Sequence, residues 1–137
     1  MKWFYNRMYK KEKGFTLVEL MVVIIILAVL TGIAIPSYLA LRTRARNSAT
    51  RSEMANIGTA IELFMADNDV YPVADATWDV TNTDLDLYMS NVPDNDSWEH
   101  IYVYTRPTTT TYTLTSWGAD GAADAADNII LTNGNLN

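Results

Sequence analysis

The sequence predicts an α+β chain, in which a long N-terminal helix spans a membrane with its first half and packs its second half against a small antiparallel β-sheet. Three observations lead there. No charged residue occurs from Leu20 to Leu41, an amphipathic helical pattern recurs from Met54 to Met65, and two runs of alternating β-branched and aromatic residues follow between residues 100 and 116.

Composition sets the bounds. With 137 residues, 49% of them hydrophobic, the chain has material for one compact domain and an additional segment, but not for two independent cores. Cysteine is absent, so disulfides, thiolate metal sites and cysteine nucleophiles are excluded, and stability must come from packing or from an oxygen-bound ion. The net charge of -6 is unevenly spread. Lys2, Arg7, Lys10, Lys11 and Lys13 crowd the start, and Arg42, Arg44, Arg46 and Arg51 form a second cluster. After these, Arg106 is the only Lys or Arg among many Asp and Glu. An acidic surface repels nucleic-acid phosphates, so nucleic acid is not a predicted partner. The arginine run reads as a solvated collar or a subunit contact.

The helix comes first. At 1.5 Å per residue, about 20 apolar residues cross a hydrocarbon layer of about 30 Å, so residues 15–41 read as a membrane span. Basic residues precede it and the acidic bulk follows, which puts residues 1–14 in the cytoplasm and the remainder outside. A secretory signal peptide shares the basic start and apolar run. The length of the stretch and the carboxylate of Glu19 near its beginning count against that reading. Glu19 is costly at the edge of a membrane helix unless paired, and is therefore a functional candidate. Pro36 removes an internal backbone hydrogen bond and should kink or loosen the helix.

From residue 42 to 67 the helix turns amphipathic, with Met54, Ile57, Ile61, Phe64 and Met65 on one face. A helix from Phe15 to about Asp67 would be roughly 80 Å long. Asp67-Asn68-Asp69 ends it, and a head of residues 68–137 begins with the extended Tyr71-Pro72. Residues 73–97 are loop-like, with a short helix expected around Leu85 to Ser90. Strands are expected at His100–Thr105 and Thr111–Ser116, joined by an Arg106–Thr110 turn, with a third at Asn128–Thr132. The sheet would bury its apolar face on the amphipathic helix.

The run Lys13-Gly14-Phe15-Thr16-Leu17-Val18-Glu19-Leu20 resembles the class III prepilin signal of type IV pilins and type II secretion pseudopilins. The resemblance implies several things together. A prepilin peptidase would cut between Gly14 and Phe15 and methylate the Phe15 amine. Glu19 would meet the amine of an adjacent subunit and set the register of a homopolymer. The subunit would wait in the inner membrane, in contact with lipid, until an assembly platform with a cytoplasmic ATPase extracted it into a periplasmic pseudopilus or an extracellular pilus. The small-residue step Thr31-Gly32 and Pro36 resemble the point where family helices bend.

Near the C-terminus, Leu114-Thr-Ser116-Trp-Gly118-Ala-Asp120-Gly121, followed by Asp124, Asp127 and Asn128, groups oxygen donors in a Gly-containing loop. Such donors suit calcium, and the spacing is not that of an EF-hand. The loop resembles the calcium loop of the major pseudopilin. That resemblance implies one calcium ion held by the carbonyls of Leu114 and Ser116 and the side chains of Asp120 and Asp127, with Asp124 as a further ligand. The alternative is a solvated acidic loop with ordinary turn chemistry. Where the family shows Asp-Pro-Trp-Gly before its sheet, this chain has Asp96-Ser97-Trp98-Glu99.

An enzyme is not expected, since the single His100 has neither a cysteine nor a nucleophile motif near it, and reads as a plain surface or sheet residue. Trp78, Trp98 and Trp117 read as core or subunit contacts more readily than as a ligand-stacking surface. The leading expectation is a filament subunit. The competing one is a membrane-anchored module that binds a ligand or calcium as a monomer, outside the cytoplasm.

Overall fold

The computed structural model describes residues 14–73, 85–123 and 126–137. The chain divides into two compact units, Met1–Ala40 and Leu41–Asn137. Helix α1, Leu17–Asn68, supplies residues to both. It ends because Asp69 adopts a left-handed φ of 61° and donates its N–H to the Met65 carbonyl at 2.9 Å, which caps an orphan carbonyl of the last turn. The Asn68 side chain caps another, donating Nδ2 to the Phe64 carbonyl at 2.9 Å.

In the second unit, α1 packs on a four-stranded antiparallel sheet of order β1-β2-β3-β4, formed by Val103–Thr108, Thr111–Ser116, Ile129–Thr132 and Asn135–Leu136. Alternation does the sorting. In β2, Tyr112 and Leu114 point inward and are fully buried, as are Ile129 and Leu131 of β3, within 2%. From α1, Met54, Ile57 and Ile61 meet them with no exposed surface. Burying each such side chain contributes roughly 1.5–3 kcal/mol. The approach is close at Gly58, where an added Cβ would stand 2.6 Å from Leu131 Cδ2. Asn133 and Gly134, with φ of 46° and 75°, make the two-residue turn between β3 and β4 that an Asn-Gly pair favours.

The strands differ from expectation at both sides of the sheet: β4 is additional to the three expected strands, β3 starts at Ile129 and not Asn128, and β1 differs most. β1 begins at Val103, not His100, and continues through Arg106 and Pro107, which were expected to turn. The ladder takes an extra residue between Thr105 and Thr108, and β1 lies on the sheet's edge, where a proline without an N–H is tolerated. The turn shrinks to Thr109 and Thr110. His100 is accordingly outside the sheet. The following residue, Ile101, forms only an isolated bridge with Asn95. Around the short helix expected at residues 85–90, the described residues show Leu85 as helical and turns after it, with Tyr88 and Met89 both donating to the Leu85 carbonyl. Trp78 lies outside the described residues.

Candidate functional site

The helix start is built by two side chains. Thr16 precedes the first helical residue, and its Oγ1 accepts the Glu19 N–H at 3.2 Å. Glu19 answers by accepting at Oε2 both the Thr16 N–H and the Thr16 hydroxyl, each at 2.8 Å. This is a capping box, satisfying orphan donors of the first turn reciprocally. The pattern Thr-x-x-Glu was present in the sequence, yet Glu19 draws attention there as a membrane charge. Gly14 and Phe15 stand before the helix, and both are exposed. A Cβ added at Gly14 would meet nothing within 4 Å among the described residues, whose packing places no demand for glycine there.

Downstream, the first unit is apolar and uncovered. Every large apolar side chain from Phe15 to Leu41 is exposed, with Phe15 at 77% and Ile33 at 66%. Two of its hydroxyls are satisfied internally: Thr31 Oγ1 donates to the Leu27 carbonyl at 2.7 Å and Ser37 Oγ to the Ile33 carbonyl at 3.1 Å. Internal satisfaction is what a hydrocarbon surrounding requires. Pro36 lies inside α1, whose helical course continues past it. Lacking an N–H, it leaves the Gly32 carbonyl without its usual donor.

The second candidate site is the turn after β2. Leu114 lies within the ladder, paired with Tyr104 and Leu131. Ser116 is buried, donating Oγ to Asp96 Oδ2 at 2.5 Å and accepting from the Gly118 N–H at 3.3 Å. Asp127 Oδ2 accepts the Ala119 N–H at 2.7 Å, and Asp120 Oδ1 accepts the Ala122 N–H at 2.9 Å. Gly118 has φ of 63°, and a Cβ there would come within 2.6 Å of the Asp127 carbonyl oxygen. Asp124 lies outside the described residues. Among the described residues, no group of three or more His, Asp or Glu converges on one point. One observation nonetheless fits an oxygen-liganded ion: Asn128 Oδ1 is buried and has no hydrogen-bond partner among the described residues, while its Nδ2 donates to the Ala123 carbonyl at 2.9 Å.

Sequence reasoning missed the centre of this loop. Asp96, only 4% exposed, accepts from the backbone N–H of Trp98 and of His100 and from the Ser116 hydroxyl. His100 is half-buried and joins the same network, its Nδ1 lying 2.9 Å from the Gly118 carbonyl. Trp98 is held from α1, donating Nε1 to Asn47 Oδ1 at 3.2 Å under the Arg46 guanidinium. Glu99 takes a left-handed φ of 71° where the resembling family has glycine.

Residues 9–35 match the prokaryotic N-terminal methylation motif, and residues 37–133 match the family described as Type II secretion system (T2SS), protein G. The chain belongs to the type II secretion system protein G family. A type II secretion system core protein G of Pseudomonas aeruginosa is 28% identical over 131 residues, covering 87% of this chain and 92% of the relative. That of Vibrio cholerae is 30% identical, over 82% of this chain and 84% of the relative. A type IV major pilin protein of Myxococcus xanthus is 33% identical over 48% of this chain and 30% of its own length. No solved structure matches. As a protein G family member with the methylation motif, the chain is a structural filament subunit processed by a prepilin peptidase. The family's subunits assemble as homopolymers, and the apolar helix fits a membrane-anchored pilus subunit.

Proposed function

We propose that this chain is the repeating subunit of a type II secretion pseudopilus, without enzymatic activity of its own. It waits in the inner membrane with residues 1–14 cytoplasmic and the sheet-bearing unit outside, is cut between Gly14 and Phe15, and is methylated on the Phe15 amine. An assembly platform powered by a cytoplasmic ATPase then draws it into the filament. The observation that carries this reading is the uncovered apolar surface from Phe15 to Leu41. Such a surface needs a partner, which lipid supplies first and neighbouring helices later. Gly14 supports the processing step, because nothing in the packing of the described residues calls for a glycine there.

In this reading Glu19 exchanges partners. Its Oε2 holds Thr16 within the chain, and in the filament it meets the methylated Phe15 amine of an adjacent subunit. A subunit in the wrong register would leave both charges unpaired in an apolar surrounding, so the pair selects register more than it adds stability. The Glu19→Gln variant tests this, because Gln retains the capping geometry but not the charge. Membrane insertion with loss of filaments is the expected outcome. Filaments at the normal level from E19Q would contradict the register role.

A second element of the proposal concerns the loop after β2. Asn128 Oδ1, buried and without a partner among the described residues, favours one calcium ion there, held with Asp127 and Asp120, the carbonyls of Leu114 and Ser116, and Asp124. Calcium would supply oxygen cross-links between β2 and the turn leading to β3 in a chain that has no disulfide to do so. Thermal unfolding of the full chain in micelles checks it. Calcium should raise the midpoint over a chelator-treated sample, and Asn128→Asp should enlarge the shift. Identical midpoints with calcium and chelator would remove the ion from the account.

A further inference from the structure

The arginine cluster divides into residues engaged within the second unit and residues that are not. Arg46 lies 4.9 Å over the Trp98 ring, and Arg51 donates to the Asn137 carbonyl at 3.2 Å. Arg42 and Arg44 are exposed, and among the described residues neither has a hydrogen-bond, ring or ion-pair partner. They are the first charges after Leu20–Leu41. That stretch is about 33 Å of helix, close to a hydrocarbon thickness of about 30 Å. Tyr38, 66% exposed, precedes Arg42 by one turn on the same helix face. An aromatic followed by a basic residue at the end of an apolar span is the arrangement that anchors helices at headgroup level.

Charge supplies the second strand of reasoning. Residues 52–137 carry fourteen Asp and Glu against Arg106 alone, a net charge of -13. An anionic membrane surface repels such a unit within a Debye length of about 8 Å. Two uncommitted guanidinium groups between the apolar span and this negative charge offset that repulsion where it is strongest. A guanidinium binds a phosphate through paired N–H groups, which neutral side chains cannot reproduce.

We infer that Arg42 and Arg44, on different sides of the helix where it leaves the bilayer, make up a headgroup-level site at which each guanidinium takes the phosphate of one anionic phospholipid. This rests on the proposed membrane span. The site selects acidic lipid around the waiting subunit and must be vacated when the subunit joins a filament.

The test uses the full chain in nanodiscs of equal phosphatidylglycerol and phosphatidylcholine, with retained lipids counted by native mass spectrometry. The chain should retain phosphatidylglycerol preferentially. Arg42→Gln and Arg44→Gln should each weaken the preference about fivefold, the effect of one basic residue near a charged membrane surface. Arg42→Lys with Arg44→Lys should keep most of it, which separates charge from any effect on folding. Equal retention of both lipids by the unaltered chain would overturn the inference, as would an undiminished preference in the Gln variants. Loss of filaments by Gln variants with an intact lipid preference would likewise overturn it and assign the arginines to a second copy of the chain. Complete displacement of the lipid by inorganic phosphate would identify a free-anion site instead. A chain that never enters the bilayer would overturn the membrane reading as well, whereas one that enters without preference overturns this inference alone.

Discussion

Two carboxylates illustrate how position decides what the same group does. Glu19 is exposed, and its Oε2 closes a capping box with Thr16 only three residues away. Asp96 is buried and gathers three donors from three places, the Trp98 and His100 N–H groups and the Ser116 hydroxyl. Removing a buried acceptor leaves its donors unpaired, at about 1–3 kcal/mol each. Asp96→Ala should therefore destabilise the second unit by about 3 kcal/mol or more, read as a fall in the urea midpoint. A midpoint within error of the unaltered chain would mean that water replaces the carboxylate without loss. Ser116→Ala removes only one of these partners, so its effect should be smaller, about 1 kcal/mol.

At the scale of elements, the contact between α1 and the sheet is set by a glycine. Gly58→Ala gains helix propensity of about 1 kcal/mol but thrusts a methyl to within 2.6 Å of the buried Leu131 side chain. Overpacking typically costs about 1–3 kcal/mol, so the net effect should be destabilising by about 1 kcal/mol. Urea unfolding of the variant checks the sign, and stabilisation would show that Leu131 moves aside freely. Helix and sheet were legible because periodicity is local: Met54, Ile57 and Ile61 repeat along one face, and β2 matches its expected bounds of Thr111–Ser116. β1 was misplaced because its edge position and extra residue, which accommodate Arg106 and Pro107, depend on the partner strand. The Asp96 network was not legible either, since Ser116 lies 20 residues along the chain and only the fold joins them. Gly14 and Phe15 stood out through the resemblance of one short run and Glu19 already as a charge at the edge of the apolar helix, whereas its capping partner Thr16, inside the same run, did not.

For the molecule as a whole, the core carries a pH limit written in tyrosines. Burial raises the hydroxyl pKa of Tyr71, Tyr102 and Tyr112, and the carboxylates of Glu62 and Glu53 raise it further. Tyr102 donates to Glu53 at 3.0 Å and Tyr71 to Glu62 at 3.1 Å, bonds that exist only while the hydroxyls keep their protons. The folded chain thus holds protons that the unfolded chain releases near pH 10, so this contribution is complete below about pH 10 and declines above it. Unfolding midpoints should be flat from neutral pH to about 10 and fall beyond it, with a shallower fall for Tyr102→Phe. A flat profile to pH 11 would show that these hydroxyls ionise in the folded state without penalty. The proposed maturation lies at the other end of the chain, where the basic leader would be removed from an uncovered apolar helix before assembly. The mass of the N-terminal peptide from membrane and sheared-filament fractions tests this most directly. The account predicts a peptide beginning at Phe15 and heavier by one methyl group in both fractions; an intact Lys13-Gly14-Phe15 junction in filaments, or a cut beyond Pro36, would contradict it.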